Sequence, residues 1–181
     1  MTNSGRPLPA REQLAAIRML LLDVDGVLTD GRIWTDHDGR EYKSFHVHDA
    51  AGLHYWRRCG GLTGFLSGRG GHAVERRAAD LHVDEVVLHR VDKGAAFAEL
   101  LARRDLAPHE IAYVGDDVLD LPVLRLAGLA ATVPEARPEV LAEVHYVSSR
   151  SAGFGAARDV VELLLRARGE WDAIVRDGGL S

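Results

Sequence analysis

Hydrophobic positions along the chain fall into two patterns. Continuous apolar runs occur at 19–22 (MLLL), 62–66 (LTGFL), 83–88 (VDEVVL), 111–114 (IAYV) and 129–133 (LAATV), most of them bounded by Gly, Pro or Asp. Short runs of this kind suit strands buried on both faces. Between them, 50–58, 72–81, 93–104, 117–126 and 136–143 have helical spacing, a short helix is expected in EQLAAI, and 156–168 (AARDVVELLLRAR) is the clearest amphipathic helix. Strand and helix in regular alternation predict an α/β fold, a Rossmann-like three-layer αβα sandwich around a mostly parallel sheet with right-handed crossovers.

One stretch breaks the rhythm. In GRIWTDHDGREYKSFHV (31–47) two extended halves flank Asp38-Gly39, a turn signal that predicts an antiparallel β-hairpin projecting from the end of the first strand. Trp34, Tyr42 and Phe45 then form an exposed patch suited to assembly, because a projecting hairpin has little core of its own. Residues 1–15 read as an N-terminal arm, and 169–181 as a tail that begins as a helix and ends Gly-rich. The remainder reads as a single domain spanning 1–181, without repeats or low-complexity tracts.

Composition narrows the function. With 22 basic against 27 acidic residues the net charge is −5, and no basic run restores locally the footprint of a nucleic-acid binder. No apolar stretch is long enough to span a bilayer, no secretory pattern is visible, and the lone Cys59 permits no internal disulfide, so the expected compartment is the cytoplasm. Lys43 and Lys93 are the only lysines in a chain otherwise committed to arginine, which suggests a local need at each.

The run LLLDVDG (20–26) sends buried leucines straight into two carboxylates, Asp23 and Asp25, one residue apart. Desolvating them is costly without a partner, and a metal cation is the obvious one. In an open parallel sheet, ligands sit beyond the carboxyl ends of the strands. At that edge the chain places Asp23-Val24-Asp25-Gly26, then Ser67-Gly68, then Lys93, then Gly115-Asp116-Asp117 with Asp120 a turn later. This is the inventory of a magnesium-dependent phosphoryl-transfer site. Mg²⁺ prefers oxygen donors, which Asp23, Asp116 and a backbone carbonyl supply. Asp23 is placed to attack phosphorus, and Asp25 to protonate the leaving oxygen and later activate water. Ser67 and adjacent N–H groups cradle the phosphoryl, and Lys93 adds positive charge to its equatorial oxygens. Each fragment alone is weak, since Asp-x-Asp-Gly also marks turns and Ser-Gly is common in loops. Their order against the strand pattern carries the inference.

These residues resemble the haloacid dehalogenase superfamily of phosphohydrolases: DVDGVLTDG (23–31), Ser67, Lys93 and GDDVLD (115–120) are similar to its four motifs, in order. Within it, KSFHVHDAAGL (43–53), SGR (67–69), AYVGDDVLDLPVL (112–124) and GFGAARDVVELLL (153–165) resemble the small tetrameric 3-deoxy-D-manno-octulosonate 8-phosphate phosphatases. The resemblance implies an aspartyl-phosphate on Asp23, metal ligation by Asp23, Asp116 and the main chain of Asp25, support from Asp117 and Asp120, and a sugar-acid phosphate substrate. It also implies that Arg69 and Arg77 pair with the sugar-acid carboxylate, that Lys43 and His48 lie near substrate, and that hairpins assemble a homotetramer. The gaps between motifs hold no cap domain, so the neighbouring subunit, its C-terminal tail included, is expected to close the site. His48-Asp49-Ala50 and Ala152 depart from the family pattern near substrate-facing regions, which leaves another sugar phosphate, such as a nonulosonate 9-phosphate, open as substrate. A non-catalytic oligomeric subunit is the remaining alternative, and zinc at His46 and His48 lacks a third ligand at suitable spacing.

Overall fold

The computed structural model describes residues 5–179; the first residues of the arm and the last of the tail lie outside them. The described chain runs α1 (Arg11–Ala15), β1 (Met19–Leu22), β2 (Trp34–Thr35), β3 (Glu41–Tyr42), α2 (Val47–Arg58), β4 (Leu62–Leu66), α3 (His72–Asp80) and β5 (Glu85–Val87). It continues through α4 (Lys93–Arg104), β6 (Ile111–Val114), α5 (Leu121–Leu124), β7 (Leu129–Thr132), α6 (Pro138–Leu141), β8 (Tyr146–Val147), α7 (Ala156–Arg168) and α8 (Trp171–Arg176). Six strands form one parallel sheet in the order β5-β4-β1-β6-β7-β8. The chain builds outward from β1 in one direction, then returns to build in the other. The strand order therefore switches at β1, which is where such sheets open a ligand crevice.

Leucine-rich β1 takes the centre because it can be buried on both faces. Leu20 and Leu22 pack with α1, α2, α3, α7 and α8, whereas Met19 and Leu21 pack with α4, α5 and α6. All four are fully buried. Trp56 and Phe97 anchor the two cores, one on each side.

Several boundaries differ from the sequence expectation. The edge strand β8 pairs with β7 through only two residues and has no apolar run to announce it. The helix expected at 117–126 divides into a tight turn, Val118–Asp120, and the single turn α5, because the Asp120 carboxylate bends inward to accept backbone N–H groups. The helix expected at 136–143 contracts to α6. Helix α2 begins at Val47 instead of 50, so His46 and His48 do not alternate on a strand. His46 caps the helix, its Nδ1 accepting the His48 N–H at 3.2 Å.

The hairpin is real but short: β2 and β3 pair antiparallel through Trp34 with Tyr42 and Thr35 with Glu41. Asp36 closes the turn. Its Oδ1 accepts the N–H groups of Asp38 (3.0 Å) and Arg40 (2.8 Å), while Tyr42 donates its hydroxyl to Oδ2. Gly39 supplies the left-handed backbone that such a turn needs. Trp34 is 62% exposed and Tyr42 55%, with Ile33 beside them in sequence at 42%. Phe45 leaves this patch. It packs against the core with the Arg77 guanidinium over its ring at 5.4 Å.

The tail begins as a helix, as expected from the sequence. Residues 171–176 form α8, whose Trp171 and Ile174 enter the core, and Arg158 and Arg166 stack on the Trp171 ring. Arg168 ties the end of α7 to the carbonyls of Ile17 and Cys59, near the amino ends of β1 and β4. The described tail thus packs on its own subunit, at the sheet edge opposite the acidic motifs. No helix among the described residues is long and apolar enough to cross a membrane.

Candidate active site

Beyond Leu22 the chain turns sharply. Asp23 stays extended, its N–H donating to the Val114 carbonyl at 2.9 Å and its Oδ1 accepting the Val24 N–H at 2.7 Å. Two turns of chain from neighbouring strands then close on it. After β6, Gly115 leads into Asp116 and Asp117; after β4, Ser67 opens a loop; and Lys93 starts α4 beyond β5, with Asp92 capping the helix. Asp23, Asp25, Ser67, Gly68, Arg69, Lys93, Asp116, Asp117 and Leu119 line a single crevice of about 160 Å³.

Lys93 and Asp120 organise the floor. The Lys93 ammonium lies 2.8 Å from Asp23 Oδ2 and 2.5 Å from Asp120 Oδ1, and is 3% exposed. Asp120 is saturated: Oδ1 also accepts the Tyr113 hydroxyl, and Oδ2 accepts the N–H groups of Asp116 (2.9 Å) and Asp117 (3.0 Å). Carboxylate oxygens of Asp23, Asp116 and Asp120 approach within 4.8 Å of one another. Asp120 is fully buried and does not line the crevice, whereas Asp23 and Asp116 do, which makes them the pair that could hold a cation there. Asp116 Oδ1 is buried and accepts no hydrogen bond among the described residues, a costly condition that an ion would relieve. Gly26 permits this closeness. It has φ +86°, and a Cβ there would lie 2.2 Å from Asp116 Oδ2.

The electrostatics agree. Burial, and then repulsion from Asp120, raises the Asp23 carboxyl to about 6. Burial, and then repulsion from Asp23 and Asp120, raises Asp116 to about 7. Burial works against the Lys93 ammonium, but the carboxylates of Asp23 and Asp120 outweigh it and hold its pKa above the ordinary value. Three carboxylates facing one ammonium leave excess negative charge, and the donors are all oxygen. Those features fit Mg²⁺.

The residues expected at the rim divide. Ser67 is buried, its Oγ accepting the Arg69 N–H at 3.2 Å and its carbonyl accepting the Arg90 N–H at 3.1 Å. Asp117 caps its own turn through the Val118 N–H. Arg69 lines the crevice and pairs with Glu41 at 2.7 Å. The Lys43 side chain is 1% exposed and forms an ion pair with Asp25. Arg77 lies outside the crevice, in a groove of about 730 Å³ between the hairpin and α3. His48 lines a separate recess with Arg150, Phe154 and Arg158. Sequence reasoning missed Tyr113 and Glu41. A hydroxyl within the otherwise apolar IAYV strand was the available signal for the first; Glu41 gave none.

Residues 76–158 match the model of the haloacid dehalogenase-like hydrolase family. The chain is 39% identical over 156 residues to the 3-deoxy-D-manno-octulosonate 8-phosphate phosphatase KdsC of Escherichia coli, covering 86% of this chain and 83% of that one. Its fold is similar to the crystal structure of the Moraxella catarrhalis phosphatase of the same name in complex with magnesium, phosphate and KDO, with TM-score 0.90, 32% identity, and coverage of 93% and 97%. The cobalt-bound deoxy-D-mannose-octulosonate 8-phosphate phosphatase of Haemophilus influenzae is similar too, at TM-score 0.88, 34% identity, and coverage of 92% and 98%. Similarity along nearly the whole chain, in sequence and in fold, places this protein in the 3-deoxy-D-manno-octulosonate 8-phosphate phosphatase family of haloacid dehalogenase-like hydrolases.

Proposed function

We propose that the chain hydrolyses 3-deoxy-D-manno-octulosonate 8-phosphate to the free sugar acid and phosphate. The observation that carries this reading is the single crevice shared by Asp23, Asp25, Ser67, Lys93 and Asp116, in a fold similar to the Moraxella enzyme crystallised with magnesium, phosphate and KDO. Asp23, Asp116 and the main-chain carbonyl of Asp25 would hold Mg²⁺. When bound, the ion neutralises charge on the transferring phosphoryl group.

The chain's own groups do the rest. An Asp23 carboxylate oxygen attacks phosphorus while the ester P–O bond breaks, and Asp25 gives its proton to the departing sugar oxygen. Water then attacks the phosphorus of the aspartyl-phosphate, surrendering a proton to Asp25 and restoring Asp23 as phosphate leaves. Ser67 and the N–H groups after it bind the phosphoryl oxygens. Lys93 offsets their charge and, through Asp23 and Asp120, fixes the nucleophile. Arg69 offers the sugar-acid carboxylate a guanidinium at the rim.

The crevice is open to solvent, and no cap domain covers it among the described residues. The hairpins of a homotetramer would supply the missing wall, with Ile33, Trp34 and Tyr42 as the contact. The single domain spanning 1–181 would act in the cytoplasm, with no nucleic-acid or membrane partner. Asp23→Asn should lower phosphate release from the sugar-acid phosphate by at least ~10³-fold with an unchanged melting temperature. Turnover within tenfold of wild type would remove Asp23 as the nucleophile.

A further inference from the structure

Lys43 sits just past β3, on the hairpin, yet its ammonium is buried against a carboxylate in the crevice. A lysine stem is flexible and its head strongly hydrated, so withdrawing both from water needs a specific return. Lys43 engages Oδ1 of Asp25. Asp25 Oδ2 is buried and without a hydrogen bond among the described residues, and Arg69 Nε lies 4.0 Å from it. Arg69 is in turn held by Glu41, which lies two residues before Lys43 and so on the same side of the extended chain. One short segment of hairpin thus fixes Asp25 directly and Arg69 from the other side. The result is a carboxyl with one oxygen tethered and the other buried without a hydrogen-bond partner.

We propose that Lys43 is a positioning residue for the acid–base step: by tethering Asp25 Oδ1 from the hairpin, it aims Oδ2 at the ester oxygen of the departing group. This rests on the role given to Asp25 above. In the first half-reaction the proton on Oδ2 passes to the oxygen whose bond to phosphorus breaks, and in the second the same oxygen receives the proton of the attacking water. An untethered Asp25 would swing between rotamers, and the proton would arrive late. Substrates whose leaving group departs readily as an anion would hardly notice.

Leaving-group dependence is therefore the test. kcat/KM reports steps up to formation of the aspartyl-phosphate, and a series of ring-substituted phenyl phosphates varies leaving-group acidity with little change in shape. Wild type, Lys43→Met, Lys43→Arg and Asp25→Asn are compared with Mg²⁺ saturating. Lys43→Met should leave the most acidic phenol within about threefold of wild type and slow the least acidic by about 10–100-fold, a slope approaching that of Asp25→Asn. Lys43→Arg, which keeps the charge, should recover part of the loss. Should Lys43→Met prove too unstable to assay, a steeper slope in Lys43→Arg carries the same meaning. A uniform loss across the series, or an unchanged slope in both Lys43 variants while Asp25→Asn steepens, overturns the positioning role and leaves the hydrolase reading intact. If Asp25→Asn itself fails to steepen the slope, the acid assignment falls instead.

Discussion

Asp116 and Asp23 place two carboxyls with raised proton affinity, about 7 and about 6, where an ion is to bind. Below those values each holds a proton that the ion must expel. Mg²⁺ affinity should therefore be flat above pH ~8 and weaken as pH falls through 7 and then 6, by up to about tenfold per pH unit for each proton displaced. Titration calorimetry of Asp25→Asn, which retains both ligands and the Asp25 carbonyl, measures this without turnover. Affinity constant from pH 5 to 8 would count against Asp23 and Asp116 as the ligands. That Asp23 and Asp116 would meet at one edge was legible in the sequence because Asp-x-Asp-Gly and Gly-Asp-Asp follow the apolar runs directly. Asp120 was legible only as a neighbour. That it ties together Lys93, Tyr113 and two backbone N–H groups depends on a turn whose bend it creates.

At the scale of elements, periodicity located what is buried and failed where polar contacts decide. Strands β1, β4 and β6 and helices α4 and α7 fall where the apolar patterns put them, since burial on one face or two leaves a strong signal. Helix α2 starts early because an imidazole cap is invisible to a hydrophobic count, and β8 is too short to have a period. Helix α8 is the instructive case. The sequence marks it as a helix but not how it packs: Trp171 is held between arginines above and core residues below. Truncation from Gly169 should therefore destabilise the fold. Trp171→Ala alone should cost about 3–5 kcal/mol in denaturant unfolding. A cost under ~1 kcal/mol would restore the view of this segment as a dispensable appendage.

At the scale of the whole molecule, the site is built at one edge of the sheet, and the described part of the tail packs on α2 and α7. The surface proposed to enclose the substrate is the hairpin, where Ile33, Trp34 and Tyr42 present apolar surface. The pair Trp34→Glu and Tyr42→Glu introduces like charges directly opposite one another on β2 and β3, and also spoils a hydrophobic contact. Sedimentation should find wild type as a tetramer and the double variant as smaller species. KM for the sugar-acid phosphate should rise by about tenfold or more, while p-nitrophenyl phosphate, too small to need the wall, stays within about threefold. A monomeric wild type with full activity would refute assembly as the means of closure.

The burial of both lysines, Lys43 at 1% and Lys93 at 3% side-chain exposure, has a practical side. Across its described surface the protein wears its positive charge as guanidinium groups alone. Reagents that acylate amines, and immobilisation chemistries that depend on them, find no lysine handle there that is not already locked into the reaction centre. Substrate protection of those two amines from slow acylation would thus read out the crevice, once the faster-reacting N-terminal amine is distinguished by peptide mapping.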